Sequence, residues 1–335
     1  MSFIKALSLP ILAAFILSAC GTKREYYEPP KNLSGKLTYT SELSSSIVSA
    51  STDYAVLKNG EVLDKSGIIR HFKLEKGFKL LKFEGGEFVL ADNNGNLRIL
   101  DENAEKIFEH KFDAAVLAAT MEGDDIALIL ADNTIVLTNR SLGVRFSQTL
   151  TAAPARDMRV ASPYFLNSII IYPSLDGKIV IVDRASLKVA RDVVVSSEDF
   201  FNNVIYLSVV DETMIAATPR RVVVVSAEQT YKFDEELRTI VVSRGSIFIF
   251  GKNGNIIKTN LALNKQKEKK FKYAIYNEAS VFNEALFVFE KTGYLFKMDL
   301  NLENEKIYRL KKAVGEKAFM KEGKFYYDDK VLNLP

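Results

Sequence analysis

The sequence of 335 residues contains one cysteine, no tryptophan and only two histidines. A single thiol cannot form a disulfide within the chain, so burial of a core has to stabilise the fold. His71 and His110 both lie among alternating, strand-like residues, a setting that argues against a metal centre or a Ser-His-Asp triad. Basic and acidic side chains number 45 and 42, so no global field would attract nucleic acid. We therefore expect a protein without metal, cofactor or enzymatic activity.

The first twenty residues have the order of a secretory signal. One lysine precedes a mostly apolar stretch, 6–17, which is too short to span a hydrocarbon core of ~30 Å. Small Ser18 and Ala19 stand directly before Cys20. This order resembles the signal of bacterial lipoproteins, in which the cysteine is lipidated and becomes the new N-terminus.

That resemblance predicts how the chain is divided. We expect residues 1–19 to be removed as a signal peptide and Cys20 to carry the lipid. Residues 20–34 are polar and contain two consecutive prolines, which predicts a flexible tether, and residues 35–335 are predicted to form one domain. By the sorting habit of the lipoprotein family, Gly21 favours the outer membrane, with the folded domain facing the periplasm.

A unit consisting of an apolar strand, a tight polar turn and a second apolar strand recurs along the rest of the chain. The turns are centred about 38 residues apart, at positions 60, 95, 133, 177, 220, 254, 293 and 329. Many contain Asn-Gly, Asp-Gly or Thr-Gly, which supply the positive φ of a hairpin turn. Two further strand-like stretches separate the copies, so each unit has four strands, A to D. This is the pattern of a β-propeller blade; a solenoid is the alternative, with shorter or helix-bearing repeats.

The ends of the repeat predict how the ring closes. The eighth unit has only three strands, the last of them at Val331–Leu334, whereas residues 35–43 read as a strand without inner partners. We predict that residues 36–42 pair with Val331–Leu334 and complete blade eight, which removes exposed edges. The predicted fold is an all-β, eight-bladed propeller of four-stranded antiparallel blades, with seven blades as the alternative.

The C strands often end in Asp, Asn or Ser, and an aromatic residue can follow seven positions later, as in Asp101 and Phe108 or Asn139 and Phe146. This pattern resembles the pyrroloquinoline-quinone (PQQ)-like propeller repeat, without its tryptophan. Together with the signal and the length, it resembles the propeller lipoproteins of the outer-membrane β-barrel assembly machinery. The resemblance implies a membrane-anchored scaffold with protein partners. Quinone enzymes with this repeat stack the cofactor on tryptophan, which this chain lacks.

Two sequence features indicate a partner-binding surface on one face of the predicted ring. The connection 196–203 carries the adjacent aromatics Phe200 and Phe201 in a polar loop, and the turn 218–221 carries Arg220 and Arg221. Aromatic residues and arginine are enriched at interface hot spots. The alternative is that one phenylalanine fills the gap between blades and the arginines are merely solvated.

Three functions remain open on the sequence alone. The first is a non-enzymatic scaffold in outer-membrane β-barrel assembly. The second is a structural lipoprotein of another envelope machine, such as a flagellar motor or secretion apparatus. The third is a PQQ-type enzyme or small-ligand binder that uses the central channel, for which no residue pattern provides support.

Overall fold

The computed structural model describes residues 25–51, 53–64, 66–153, 155–315 and 317–335, and these residues form β-strands, turns and loops. The predicted signal peptide 1–19 and the predicted lipidation site Cys20 lie outside the described residues, and the domain boundaries remain predictions. Within the described ranges, no helix is long and apolar enough to cross a membrane.

The described strands are arranged as eight sheets, in each of which consecutive strands pair antiparallel. Two short strands come first, β1 (Gly35–Leu37) and β2 (Ser41–Glu42), and they add to the sheets of blades seven and eight. Blades one to four follow, with strands A to D in chain order: β3 (Ile47–Ala50), β4 (Ala55–Leu57), β5 (Val62–Asp64), β6 (Gly67–Ile69); β7 (Phe78–Glu84), β8 (Glu87–Asp92), β9 (Asn96–Leu100), β10 (Lys106–Lys111); β11 (Val116–Glu122), β12 (Asp125–Leu130), β13 (Thr134–Asn139), β14 (Gly143–Thr149); β15 (Tyr164–Leu166), β16 (Ile169–Pro173), β17 (Lys178–Asp183), β18 (Lys188–Val194).

Blades five to seven repeat the pattern, and blade eight has three strands of its own. Their strands are β19 (Tyr206–Val210), β20 (Thr213–Thr218), β21 (Arg221–Val225), β22 (Thr230–Asp234); β23 (Leu237–Ser243), β24 (Ser246–Gly251), β25 (Asn255–Asn260), β26 (Lys265–Lys270); β27 (Tyr276–Phe282), β28 (Ala285–Glu290), β29 (Tyr294–Asp299), β30 (Lys306–Leu310); β31 (Ala318–Lys321), β32 (Lys324–Tyr327), β33 (Lys330–Asn333). Neighbouring strands are antiparallel, so the D–A connections and the B–C turns share one face of the ring, here called the D–A face.

The core lies between the blades, and each pair of neighbouring blades has its own cluster of buried apolar side chains. The cluster that decides the blade number joins blade eight to blade one, where Phe319 and Tyr326 pack with Ile47 and Leu57. The ring is therefore closed with eight blades, as predicted, and the seven-bladed alternative is wrong.

Pairs of stacked phenylalanines fill two of the interfaces between neighbouring blades. Phe289 and Phe325 stack between blades seven and eight with ring centroids 3.5 Å apart, and Phe72 and Phe88 stack between blades one and two at 3.8 Å. All four side chains are almost fully buried. Flat aromatic pairs thus fill the blade interfaces without an indole N–H that would need a partner.

The acidic residue at the end of a C strand has a local structural role. The carboxylate of Asp299 accepts hydrogen bonds from the backbone N–H groups of Asn301 and Glu303, both at 2.9 Å, and Asp101 does the same for Asn103 and Glu105. The carboxylate thus satisfies backbone N–H groups of the turn that have no partner in a neighbouring strand. The repeated Asp therefore shapes the C–D turn.

The B–C turn of most blades needs glycine because the following D–A connection passes directly over it. In blade seven, Gly293 has φ +101°, and a Cβ at this position would lie 2.6 Å from the carbonyl oxygen of Lys312. The Gly293 carbonyl also accepts a hydrogen bond of 2.9 Å from the Leu310 N–H. Glycine thus allows both the left-handed conformation and the close approach.

The N-terminal segment closes the ring through residues 40–42. The Thr40 N–H donates to the Val331 carbonyl at 2.7 Å, and β2 pairs antiparallel with β33, with Ser41 opposite Val331. The prediction that an N-terminal strand completes blade eight is therefore confirmed.

The first half of that predicted pairing is wrong. Residues 35–37 do not lie beside the end of the chain: β1 pairs in parallel with β30, and Lys36 lies opposite Arg309. Blade seven thereby gains a fifth strand. The physical reason is burial, because Leu37 packs into the cluster between blades seven and eight and Leu33 packs into the cluster between blades six and seven.

Candidate partner-binding surface

The connection from blade four to blade five exposes two adjacent aromatic rings on the D–A face. Phe200 is 57% exposed and Phe201 52%, so neither ring fills a gap between blades as the alternative prediction required. Phe201 also has φ +56°, which is uncommon for a bulky side chain. The surrounding contacts must therefore hold the loop in this conformation.

Two buried asparagines next to the aromatic pair provide those contacts. The Asn202 side-chain amide donates to the carbonyls of Asp176 at 3.0 Å and Ser196 at 2.9 Å. The Asn203 amide donates to the Arg159 carbonyl at 2.6 Å and accepts from the Asp157 N–H, also at 2.6 Å. Both asparagines are buried, where such bonds are strong because water cannot compete with them. The loop is fixed, and the aromatic rings project from a rigid base.

Arg220 lies beside this loop, whereas Arg221 is directed elsewhere. The Arg220 guanidinium donates to Glu198 at 3.0 Å, which joins the B–C turn of blade five to the aromatic loop. Arg221 forms an ion pair with Asp234 on β22 of the same blade, and that hydrogen bond raises the pKa of the Arg221 guanidinium. The structure thus brings Phe200, Phe201 and Arg220 together, and Arg221 belongs mainly to its own blade.

A second loop on the same face adds a residue that the sequence analysis missed. The connection between blades three and four, residues 150–163, carries Met158 with its side chain 99% exposed. The two loops are tied together because the Phe201 N–H donates to the Ala155 carbonyl at 3.1 Å. The length of this connection and its charged residues are the sequence features that could have identified it as part of the surface. We call Met158, Phe200, Phe201 and Arg220 the loop surface.

The charges beneath the loop surface are internally compensated. Arg159 forms an ion pair of 2.8 Å with Asp157. Burial pushes the pKa of the Asp157 carboxyl upward, but the hydrogen bonds from Arg159 outweigh it and hold that pKa below its ordinary value. The stabilisation is therefore present above the ordinary pKa of Asp and is lost as the pH falls through the lowered one. At neutral pH the surface presents apolar groups and one peripheral ion pair, a combination typical of protein interfaces.

In the part of the chain that the structure describes, no group of three or more His, Cys, Asp or Glu side chains is arranged to hold a metal ion. His110 packs against Phe112 at 4.5 Å on the outer strand of blade two. The acidic residues Glu122 and Asp125 pair with Arg184 of the next blade.

One buried carboxyl does predict a pH-dependent stability. Glu278 lies on β27, the innermost strand of blade seven, and burial raises its pKa to about 8. A raised pKa means that stability is greatest below the ordinary pKa and is lost as the pH rises through about 8. The replacement Glu278→Gln should therefore raise the free energy of unfolding at alkaline pH by about 2 kcal/mol, less than full burial would give because the side chain keeps some solvent contact.

Chemical denaturation across the pH range measures this effect. The control is Glu284→Gln, at an exposed position in the A–B turn of the same blade, which should leave the pH dependence unchanged. Parallel pH profiles for wild type and Glu278→Gln would contradict the assignment.

Comparison with known proteins identifies distant sequence relatives and solved structures with the same fold. No family model matches the sequence. The chain is similar to plasminogen-binding protein PgbB of Helicobacter pylori, with 26% identity over 323 residues in strain J99 and 25% over 300 residues in strain 26695. The alignments cover 82% and 76% of this chain but 59% and 55% of the relatives. The chain therefore spans less than two thirds of the length of these proteins.

Solved structures with the same architecture include BamB from Moraxella catarrhalis, with a TM-score of 0.69 and 17% identity over 89% of this chain and 100% of that one. The C-terminal WD40 domain of Sif2 matches with a TM-score of 0.66 and 13% identity, covering 90% and 99%. Sqt1 from Saccharomyces cerevisiae gives 0.64 and 12%, also covering 90% and 99%. At these identities the similarity establishes the fold, and the chain is an eight-bladed β-propeller.

Proposed function

We propose that this protein is a non-enzymatic scaffold that binds a protein partner through the loop surface. The observation that carries the proposal is the pair of exposed phenylalanines on a loop fixed by buried asparagines. Exposed aromatic rings on a rigid base lose little conformational entropy on binding, which makes them effective anchors. The long D–A loops concentrate this feature on one face of an otherwise regular ring.

We further propose that the scaffold is lipid-anchored through Cys20 at the periplasmic side of the outer membrane and serves β-barrel assembly. The signal sequence and the resemblance to the propeller lipoproteins of the assembly machinery support this assignment. The structural similarity to BamB is consistent with it. A structural role in another envelope machine, such as a flagellar motor or secretion apparatus, is the alternative.

Plasminogen binding is a second candidate, favoured by the sequence similarity to the two PgbB proteins. It would use the same class of surface, since both functions require protein recognition and neither requires chemistry. The two candidates differ in the partner and in the side of the membrane on which the propeller must be displayed.

Affinity purification of the tagged full-length protein from its own membranes separates these functions. The wild type is compared with a variant in which the residues of the loop surface are replaced by alanine. The barrel-assembly proposal predicts recovery of a large outer-membrane barrel subunit, and lower porin levels when the protein is depleted. Recovery of flagellar or secretion components with normal porin levels would replace it with the alternative. Saturable binding of purified plasminogen to intact cells would establish the second candidate.

A further inference from the structure

The chain enters the folded domain at a defined place on the rim, between blades six and seven. Tyr27 is buried, and its ring makes edge contacts with Phe271, Tyr294 and Phe296 at centroid distances of 6.1, 5.6 and 5.1 Å. Burial of a full aromatic ring fixes this part of the chain to the propeller. The residues that precede it must leave from this point.

Ser34 fixes the other end of the same segment. Its N–H donates to the Ile307 carbonyl at 2.8 Å, and its hydroxyl accepts from the Ile307 N–H at 3.1 Å. Residues 27–37 are thus attached to the outer part of blade seven at Tyr27, at Ser34 and through β1. Any freely moving tether has to lie before Tyr27.

This part of the rim is strongly basic, although residues 25–335 have equal numbers of basic and acidic side chains. Three segments meet here: the entering chain 25–37, the outer strand of blade six with its continuation 265–272, and the outer part of blade seven 303–312. Together they contain eleven basic and five acidic residues. The excess of six positive charges on this sector leaves an equal negative excess on the rest of the domain.

Part of this charge is used within the protein, and part is not. Lys267 pairs with Glu303 and Lys269 with Glu305, which links the two blades. Of the exposed lysines in this sector that have no carboxylate within salt-bridge distance among the described residues, four lie at or just after the ends of the outer strands: Lys270, Lys272, Lys311 and Lys312. All four follow the outer strands toward the D–A face. Lys272 also contacts the Tyr273 ring at 4.6 Å.

We infer that this sector, the basic rim formed by residues 25–37, 265–272 and 303–312, docks on the anionic phospholipid headgroups of the membrane to which the chain is anchored. The inference rests on the proposed lipid anchor at Cys20. Tyr27 lies seven positions after Cys20, so even a fully extended connection reaches only about 25 Å. Lys23 and Arg24 add positive charge to this connection. An anionic surface attracts basic clusters only within a short screening distance, and the short connection keeps the rim within that range.

Docking in this way would orient the propeller. The loop surface belongs to blades three to five, whereas the membrane contact belongs to blades six and seven. The anchored ring would therefore meet the bilayer through the rim of blades six and seven, which leaves the loop surface on the other blades accessible to a partner. The basic rim would thus hold the loop surface in a fixed orientation relative to the membrane.

Vesicle flotation tests the inference without depending on lipidation or on any protein partner. The expected mature chain, residues 20–335 with Cys20→Ser, is mixed at low ionic strength with vesicles of phosphatidylglycerol and phosphatidylcholine, or of phosphatidylcholine alone. We expect binding to the anionic vesicles only. Replacing Lys270, Lys272, Lys311 and Lys312 by glutamine should weaken that binding at least about tenfold.

Two matched variants show whether the effect depends on charge and on place. Arginine at the same four positions should retain binding, because the charge is kept. Glutamine at Lys73, Lys76 and Lys111, exposed residues of blades one and two, should also retain it. Equal binding to neutral and anionic vesicles, or equal losses in the rim and control variants, would overturn the inference. Thermal unfolding of each variant establishes that it is folded.

The outcome is separable from the proposed function. If the protein binds anionic vesicles but carries no acyl groups on Cys20 in cells, membrane docking by the basic rim is supported and the proposed lipid anchor is wrong. A protein with Phe200 and Phe201 replaced by alanine should float with anionic vesicles as wild type does, whatever happens to partner binding.

Discussion

Replacing Phe200 and Phe201 together by alanine should weaken binding of the protein partner about a hundredfold. Both rings are more than half exposed, so their removal leaves no cavity in the core and should change the free energy of unfolding by less than about 0.5 kcal/mol. Binding is lost because truncation removes the apolar area that the partner would desolvate. Co-purification, followed by a titration with the identified partner, measures the loss.

Leu142→Ala is the matched control for this variant. Leu142 is 72% exposed, but it lies in the C–D turn of blade three, on the opposite face of the ring. Its removal should leave partner binding unchanged. Equal partner binding by wild type and the double alanine variant would contradict the proposal that the partner binds the loop surface.

A further variant tests whether rigidity matters as well as contact. Asn202→Ala removes two hydrogen bonds beneath the loop and leaves the carbonyls of Asp176 and Ser196 without this donor. We expect a loss of about 1–3 kcal/mol of stability, together with weaker partner binding although Asn202 itself is buried. Unchanged partner binding would show that the aromatic rings do not need the hydrogen bonds of Asn202 to bind the partner.

The second large effect concerns ring closure. Thr40→Pro removes the backbone donor that bonds to Val331 and also the side-chain hydroxyl, which contacts the same carbonyl at 3.1 Å. A lost ladder bond at the edge of blade eight frees the β33 edge. We expect the free energy of unfolding to fall by about 3 kcal/mol, and the protein to aggregate more readily when the closing strand detaches.

Thr38→Pro provides the matched control, with the same residue exchanged two positions earlier, at an exposed site between β1 and β2. Its effect on urea unfolding should be small. If the two proline variants were equally stable, β2 would not be the element that closes the ring.

The sequence predicted the repeat well because its determinants are local. Turn glycines such as Gly293 require positive φ, and the residues around them alternate or run apolar in the manner of strands. The Asp at the end of several C strands also acts within five residues of itself, as Asp299 does. Patterns of this kind can be read in one segment without knowledge of its neighbours.

Features that depend on distant neighbours were harder to predict. No local pattern indicates that Tyr27 is buried against blades six and seven, or that Lys36 lies opposite Arg309 rather than beside the last strand. Both depend on which blade edge offers a better apolar partner. Similarly, residue type alone placed Arg221 with Arg220, whereas the fold pairs Arg221 with Asp234.

The loop surface was predicted in part for the same reason. Phe200 and Phe201 stand out as adjacent aromatics in a polar loop, and their exposure confirms that they are available for contact. Met158 lies more than forty residues earlier in the sequence, and its loop is joined to the aromatic loop by hydrogen bonds of the buried Asn203. Such a connection becomes visible only in the folded chain.

Site-specific photocrosslinking in living cells tests the central claim most directly. A photoreactive phenylalanine analogue is placed at position 200 in one strain and at position 142 in another. We predict a single protein adduct from position 200 and none from position 142. Adducts from position 142 alone, or none from position 200 in cells where the protein co-purifies with a partner, would contradict the claim that this propeller acts through its loop surface.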